Sequence, residues 1–67
     1  MKYNVGDLIV ETCFKYIEDY RVNVVISADE ERVTLLHHAS NSKDVYDVEE
    51  IDHWIKRDNA KHYPVSK

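Results

Sequence analysis

Apolar and polar residues alternate most cleanly in the middle of the chain. Across residues 21–27, RVNVVIS, Val22, Val24 and Ile26 share one pleat face, and Arg21, Asn23, Val25 and Ser27 share the other. The polar run ADEE follows, and RVTLLHH at 32–38 returns as a second strand, so the two are expected to form a hairpin. The small polar residues ASNS at 39–42 make another turn. KDVYDV at 43–48 then reads as one more short strand. Upstream, VGDLIV at 5–10 opens on a turn, because Gly6 accepts backbone angles other residues avoid and Asp7 suits a turn. It continues into a strand in which Leu8, Ile9 and Val10 are apolar on both pleat faces. The segment TCFKYIEDY at 12–20 does not alternate. Phe14, Ile17 and Tyr20 stand three apart, which fits a helical turn as well as a long aromatic loop between two strands.

The period changes after Asp47. Val48, Ile51, Trp54 and Ile55 fall on one helical stripe. Asp47 is a good N-cap with Glu50 three residues on, and Glu49 and Glu50 at the start and Lys56 and Arg57 at the end match the helix dipole. A helix from 48 to near 57 follows. Pro64, in HYPV, tolerates only an edge or terminal strand, because it lacks the backbone donor. Tyr63 and Val65 stand either side of it and are expected to pack on one face near the first strand. The order is strand, long segment, three strands, short helix, strand. This predicts a mostly β fold: a small barrel of four to five antiparallel strands, with one short C-terminal helix before the last strand. Leu8, Val10, Val22, Val24, Ile26, Val33 and Leu35 are the expected core, and Trp54, the only tryptophan, the plug at the open end. Ile9, Val25 and Leu36 would then point outward as a patch for a partner or second copy, unless the helix, the long segment or a bulge covers them.

Length and composition narrow the class. Sixty-seven residues make a single domain, 1–67, and 43% hydrophobic with 33% charged residues suits a globular chain rather than a disordered one. So small a domain is marginally stable. The single cysteine, Cys13, allows no intramolecular disulfide and favours a reducing cytoplasm. No apolar run approaches the roughly 20 residues of a membrane span. The first residues lack the apolar centre of a signal peptide. The net charge of −4, from 9 bases and 13 acids, is opposite to that of most nucleic-acid binders. The bases Lys56, Arg57, Lys61 and Lys67 nevertheless give the C-terminal part a basic end.

Candidate chemistry is sparse. Glu50 and His53 stand i, i+3, as in Glu-x-x-His metal pairs, but a di-iron site takes two such pairs and further glutamates on a four-helix bundle. Capping by Glu50 and a rim position for His53 explain them better. Cys13 with a histidine would be a nucleophile and base, yet nothing marks an oxyanion hole. His37 and His38 alternate out of a strand, so at most one is buried. No metal, cofactor or catalytic role is expected.

The order of elements, with YNVGDLIVE at the front, resembles the SH3-like small barrels, which include the KOW and Tudor modules. Residues 46–65, YDVEEIDHWIKRDNAKHYPV, look like the ending of short uncharacterised proteins encoded by tailed bacteriophages, which pair it with a similar Gly-Asp opening. The resemblance implies an SH3-like barrel and a phage origin, and no activity. Nucleic-acid-binding KOW modules usually carry a glycine in the loop before the second strand and bases nearby; the region here reads KYIEDYRV, with Glu18 and Asp19 and no glycine. In SH3-like barrels the corresponding long loop often contributes to ligand recognition. Tyr16, Glu18, Asp19 and Tyr20 are therefore the expected partner-binding residues, tyrosine combining area with a polar tip. The expected function is a non-enzymatic module that binds a host or phage protein in the cytoplasm of an infected bacterium, as an inhibitor or adaptor, in a monomeric or weakly dimeric state. The alternatives are a nucleic-acid-binding accessory barrel using Lys56, Arg57, Lys61 and His62, and a weak DNA mimic.

Overall fold

The computed structural model describes residues 2–12 and 21–65. Five strands, β1 (Leu8–Glu11), β2 (Arg21–Ala28), β3 (Arg32–His37), β4 (Lys43–Asp47) and β5 (Ala60–Tyr63), and one helix, α1 (Val48–Lys56), follow in the expected order. All neighbouring strands are antiparallel, in one open sheet of order β4-β3-β2-β1-β5. The helix touches both edge strands, β4 and β5. The sheet therefore curls, and α1 lies across the gap between its edges, giving a barrel-like fold 32 × 25 × 24 Å in extent.

Local chemistry sets the boundaries. Asp47 is the N-cap, and its backbone N–H donates to Glu50 Oε1 at 3.5 Å, the long arm of a capping box. At the other end Asn59 N–H donates to the Trp54 carbonyl and Asp58 N–H to the Ile55 carbonyl, the paired bonds of a Schellman ending. Asp58 occupies the left-handed position of that ending, with φ 62°. Asp58→Gly is therefore expected to stabilise the protein by about 1 kcal/mol, read as a raised midpoint of thermal unfolding.

The faces of β1 and β2 are opposite to the expected ones. Ile9 and Val25 are fully buried, with Val33, Leu35, Ile51, Ala60 and Tyr3. Leu8, Val10, Val24 and Ile26 are only half-buried, and Val22 is exposed. Of the expected core, Val33 and Leu35 alone are fully buried. The helix decides the matter: Ile51 supplies the buried contact to the concave face, so the residues in register with Val33 and Leu35 go inside. Val25 pairs with Leu35 and Ala28 with Val33, three residues against two, because a bulge between Val25 and Ser27 shifts the register. Trp54 is half-buried and stands edge-on to Tyr46, ring centroids 4.9 Å apart, so Ile51 rather than Trp54 fills the interior.

Candidate interaction face

Strand register builds the outer, convex face of the sheet row by row. Lys43, Leu36, Val24, Leu8 and Tyr63 stand opposite one another across all five strands. The next row is Val22, Val10 and Lys61. Val45 stands beside Thr34 on the other side. Past the end of β5, the Val65 side chain lies against Gly6. Gly6 has φ 97°, which its lack of a side chain permits. The large apolar residues exposed among those described are Val5, Val22, Val45, Tyr63 and Val65. Three of the five, Val22, Val45 and Tyr63, lie on this one face, Tyr63 half exposed and Val45 at 61%. Leu36 was one of three residues expected to point outward. It does, but its companions are Leu8, Val10, Val22 and Val24, not Ile9 and Val25.

Two polar clusters lie away from this face. In the first, the fully buried carboxylate of Asp7 accepts hydrogen bonds from the backbone N–H of Asn4 (3.0 Å) and Val65 (2.8 Å) and from His62 Nε2 (2.7 Å). Burial alone pushes the Asp7 carboxyl up, but these three donors outweigh it and hold the group below the usual carboxylate range. The His62 ring meets Tyr3 edge-on at 4.9 Å. Tyr3 donates its hydroxyl to Asp52 on α1, which also pairs with Lys2 at 2.9 Å. The Tyr3 hydrogen bond, partly opposed by burial, lowers the Asp52 carboxyl; burial and Asp52 together raise the Tyr3 phenol. This cluster ties the first residues, the helix and the end of β5 together. It is a clasp.

The second cluster lies on the concave side. His37 Nε2 is 2.8 Å from Asp44 Oδ2, and the Tyr46 hydroxyl is 3.5 Å from the same nitrogen. Asn23, fully buried, donates from Nδ2 to the Ile9 carbonyl (3.0 Å) and to Glu11 Oε2 (3.1 Å). Its Oδ1 meets no hydrogen-bond partner among the described residues. Burial, and the charges of Asp44, Glu11 and Glu50, raise the Tyr46 phenol. His38 is exposed, so the two consecutive histidines part company as strand alternation expects.

The expected site residues are dispersed. Tyr16, Glu18, Asp19 and Tyr20, with Cys13, lie outside the described residues. Among the four bases expected to meet nucleic acid, Lys56 ends α1 and Arg57 caps it, Lys61 stands on the convex face, and His62 points inward to Asp7. They do not form one surface, because β5 sends its successive side chains to opposite faces. Glu50 serves the helix cap and His53 is exposed. Among the described residues no three His, Cys, Asp or Glu side chains draw together as a metal site. No described helix is long and apolar enough to cross a membrane. No protein-family model, curated protein or solved structure matches this chain significantly.

Proposed function

We propose that this protein is a non-catalytic interaction module that binds another protein through the convex face of its sheet. One observation carries the reading: three of the five exposed large apolar side chains among the described residues, Val22, Val45 and Tyr63, share a face that also carries half-buried Leu8, Val10, Val24 and Leu36. A continuous apolar surface of that kind marks a partner surface rather than an ordinary solvated one. The core cluster, including Ile51 of α1, lies on the opposite side of the sheet. A phage origin, and a role as inhibitor or adaptor in the cytoplasm of an infected bacterium, belong to the same proposal. They rest on the resemblance of the Gly6-Asp7 opening and the 46–65 ending.

The test is an affinity capture from bacterial lysate with tagged native chain and with two single variants, Val22→Glu and Tyr63→Glu. Both positions are exposed, so each variant is expected to cost no more than about 1 kcal/mol and to stay folded. The native chain should recover a nuclease-resistant protein that both variants lose. Equal recovery by native and folded variants places the binding surface elsewhere and overturns the reading.

A further inference from the structure

The convex face differs in charge from the rest of the molecule. The chain has 13 acids and a net charge of −4, yet the rows that cross the face end in Lys43 on β4 and Lys61 on β5. Both lysines are exposed, and neither forms an ion pair with a described residue. The one carboxylate that alternation places with them, Asp47, lies 3.8 Å from Arg32, its register partner, and caps α1. Among the described acids of the sheet and its turns, Asp7 is inside, Glu11 and Asp44 lie on the concave side, and Asp29, Glu30 and Glu31 form the β2–β3 turn.

From this arrangement we infer that the partner segment is apolar at its centre and carries carboxylates on both flanks, so that Lys43 and Lys61 meet acids across the two edges of the sheet. This inference rests on the convex face being the binding surface. The two edge strands are four interstrand spacings apart, roughly 19 Å measured along the sheet, which sets the separation of the acidic groups. The lysines act locally, because at physiological salt charges more than about 8 Å away are largely screened, and the acidic body does not cancel them. A second copy of this chain is a poor occupant: among the described acids, a twofold pairing of this face offers the lysines only Asp47, which Arg32 and the helix cap already engage. Nucleic acid is a poor one too, since the rows between the lysines are aliphatic and Tyr63 alone of their residues provides a ring for a base to stack on.

The test uses probes of defined chemistry against the isotope-labelled full chain. These are a peptide with a Leu-rich centre and Glu flanks, the same peptide with Lys flanks, and vesicles of phosphatidylcholine with phosphatidylglycerol. The Glu-flanked peptide should bind about tenfold more tightly than the Lys-flanked one, as two exposed charge pairs turned from attractive to repulsive would give. Shifts should centre on Leu8, Val24, Leu36 and Tyr63. The double variant Lys43→Glu with Lys61→Glu should reverse the preference while its melting temperature stays near that of the native chain. Equal binding of both peptides on this face overturns the charge inference and leaves the binding face intact. Shifts centred elsewhere, or no binding of either peptide, overturn both. Binding to the vesicles alone assigns the face to an anionic lipid surface and overturns the protein partner.

Discussion

Asp7→Ala is expected to cost about 3–5 kcal/mol, because it removes a fully buried carboxylate and leaves three hydrogen-bond donors without their acceptor. A domain of this length is worth only about 3–10 kcal/mol in total, so the variant should lose a large fraction of its stability and melt at a much lower temperature. Three donors lose their acceptor at once: the N–H groups of Asn4 and Val65, and His62 Nε2. These tie the first turn to the end of β5 across the β1–β5 pair. Asp7→Asn keeps the shape and one acceptor oxygen, and should lose distinctly less. The same carboxylate sets the acid limb of stability. Its folded value lies below the ordinary 3.8, as does that of Asp52. Their contributions are therefore fully present above the unfolded value and drain away as pH falls below about 4 and through the folded values. Thermal stability should fall steeply below pH 4, with a shallower fall in Asp7→Asn. A native chain whose stability does not change between pH 5 and pH 2.5 would contradict this assignment.

Ile51→Ala should cost about 3–4 kcal/mol, in the range of large aliphatic truncations in a core. Ile51 is the only fully buried residue of α1 and belongs to the cluster with Ile9, Val25, Val33 and Leu35. Its removal leaves a cavity where the helix meets the concave face. The strands around that cavity are held by their own ladders and cannot collapse into it, so most of the penalty should persist. Chemical denaturation of Ile51→Ala and of Ile51→Val separates the contributions: the valine variant should lose about 1 kcal/mol. An alanine variant of near-native stability would mean that the helix is not what closes the core.

The features legible in the sequence were those with a local signal. The β2–β3 hairpin follows from alternation and the polar turn between its strands. The helix follows from the Asp47 cap and the stripe of Ile51, Trp54 and Ile55. Pro64 stands just past β5, an edge strand, as a residue without a backbone donor must. What local reading missed was a matter of sign. Leu8-Ile9-Val10 and Val22 through Ile26 are apolar on both faces, so alternation gives two sets and does not say which is inside. The helix chooses, and it chooses the set containing Asn23. That residue looks outward in the sequence, but its amide is held by the Ile9 carbonyl. The Asp7–His62 pair spans 55 residues, so the turn signal at Gly6-Asp7 showed only half of the role of Asp7. The convex face was legible as chemistry, in the surplus of aliphatic residues in β1 and β2, and illegible as geometry until the register was known.

The most direct test of the central claim is a titration of the labelled chain with the captured partner, followed by amide spectra of both pleat faces. The binding account predicts that Leu8, Val10, Val22, Val24, Leu36 and Tyr63 shift or broaden, while the buried Ile9, Val25, Val33 and Leu35 keep their positions. Perturbations confined to the β2–β3 turn at Asp29–Arg32, or to the helix end at Lys56 and Arg57, would contradict it.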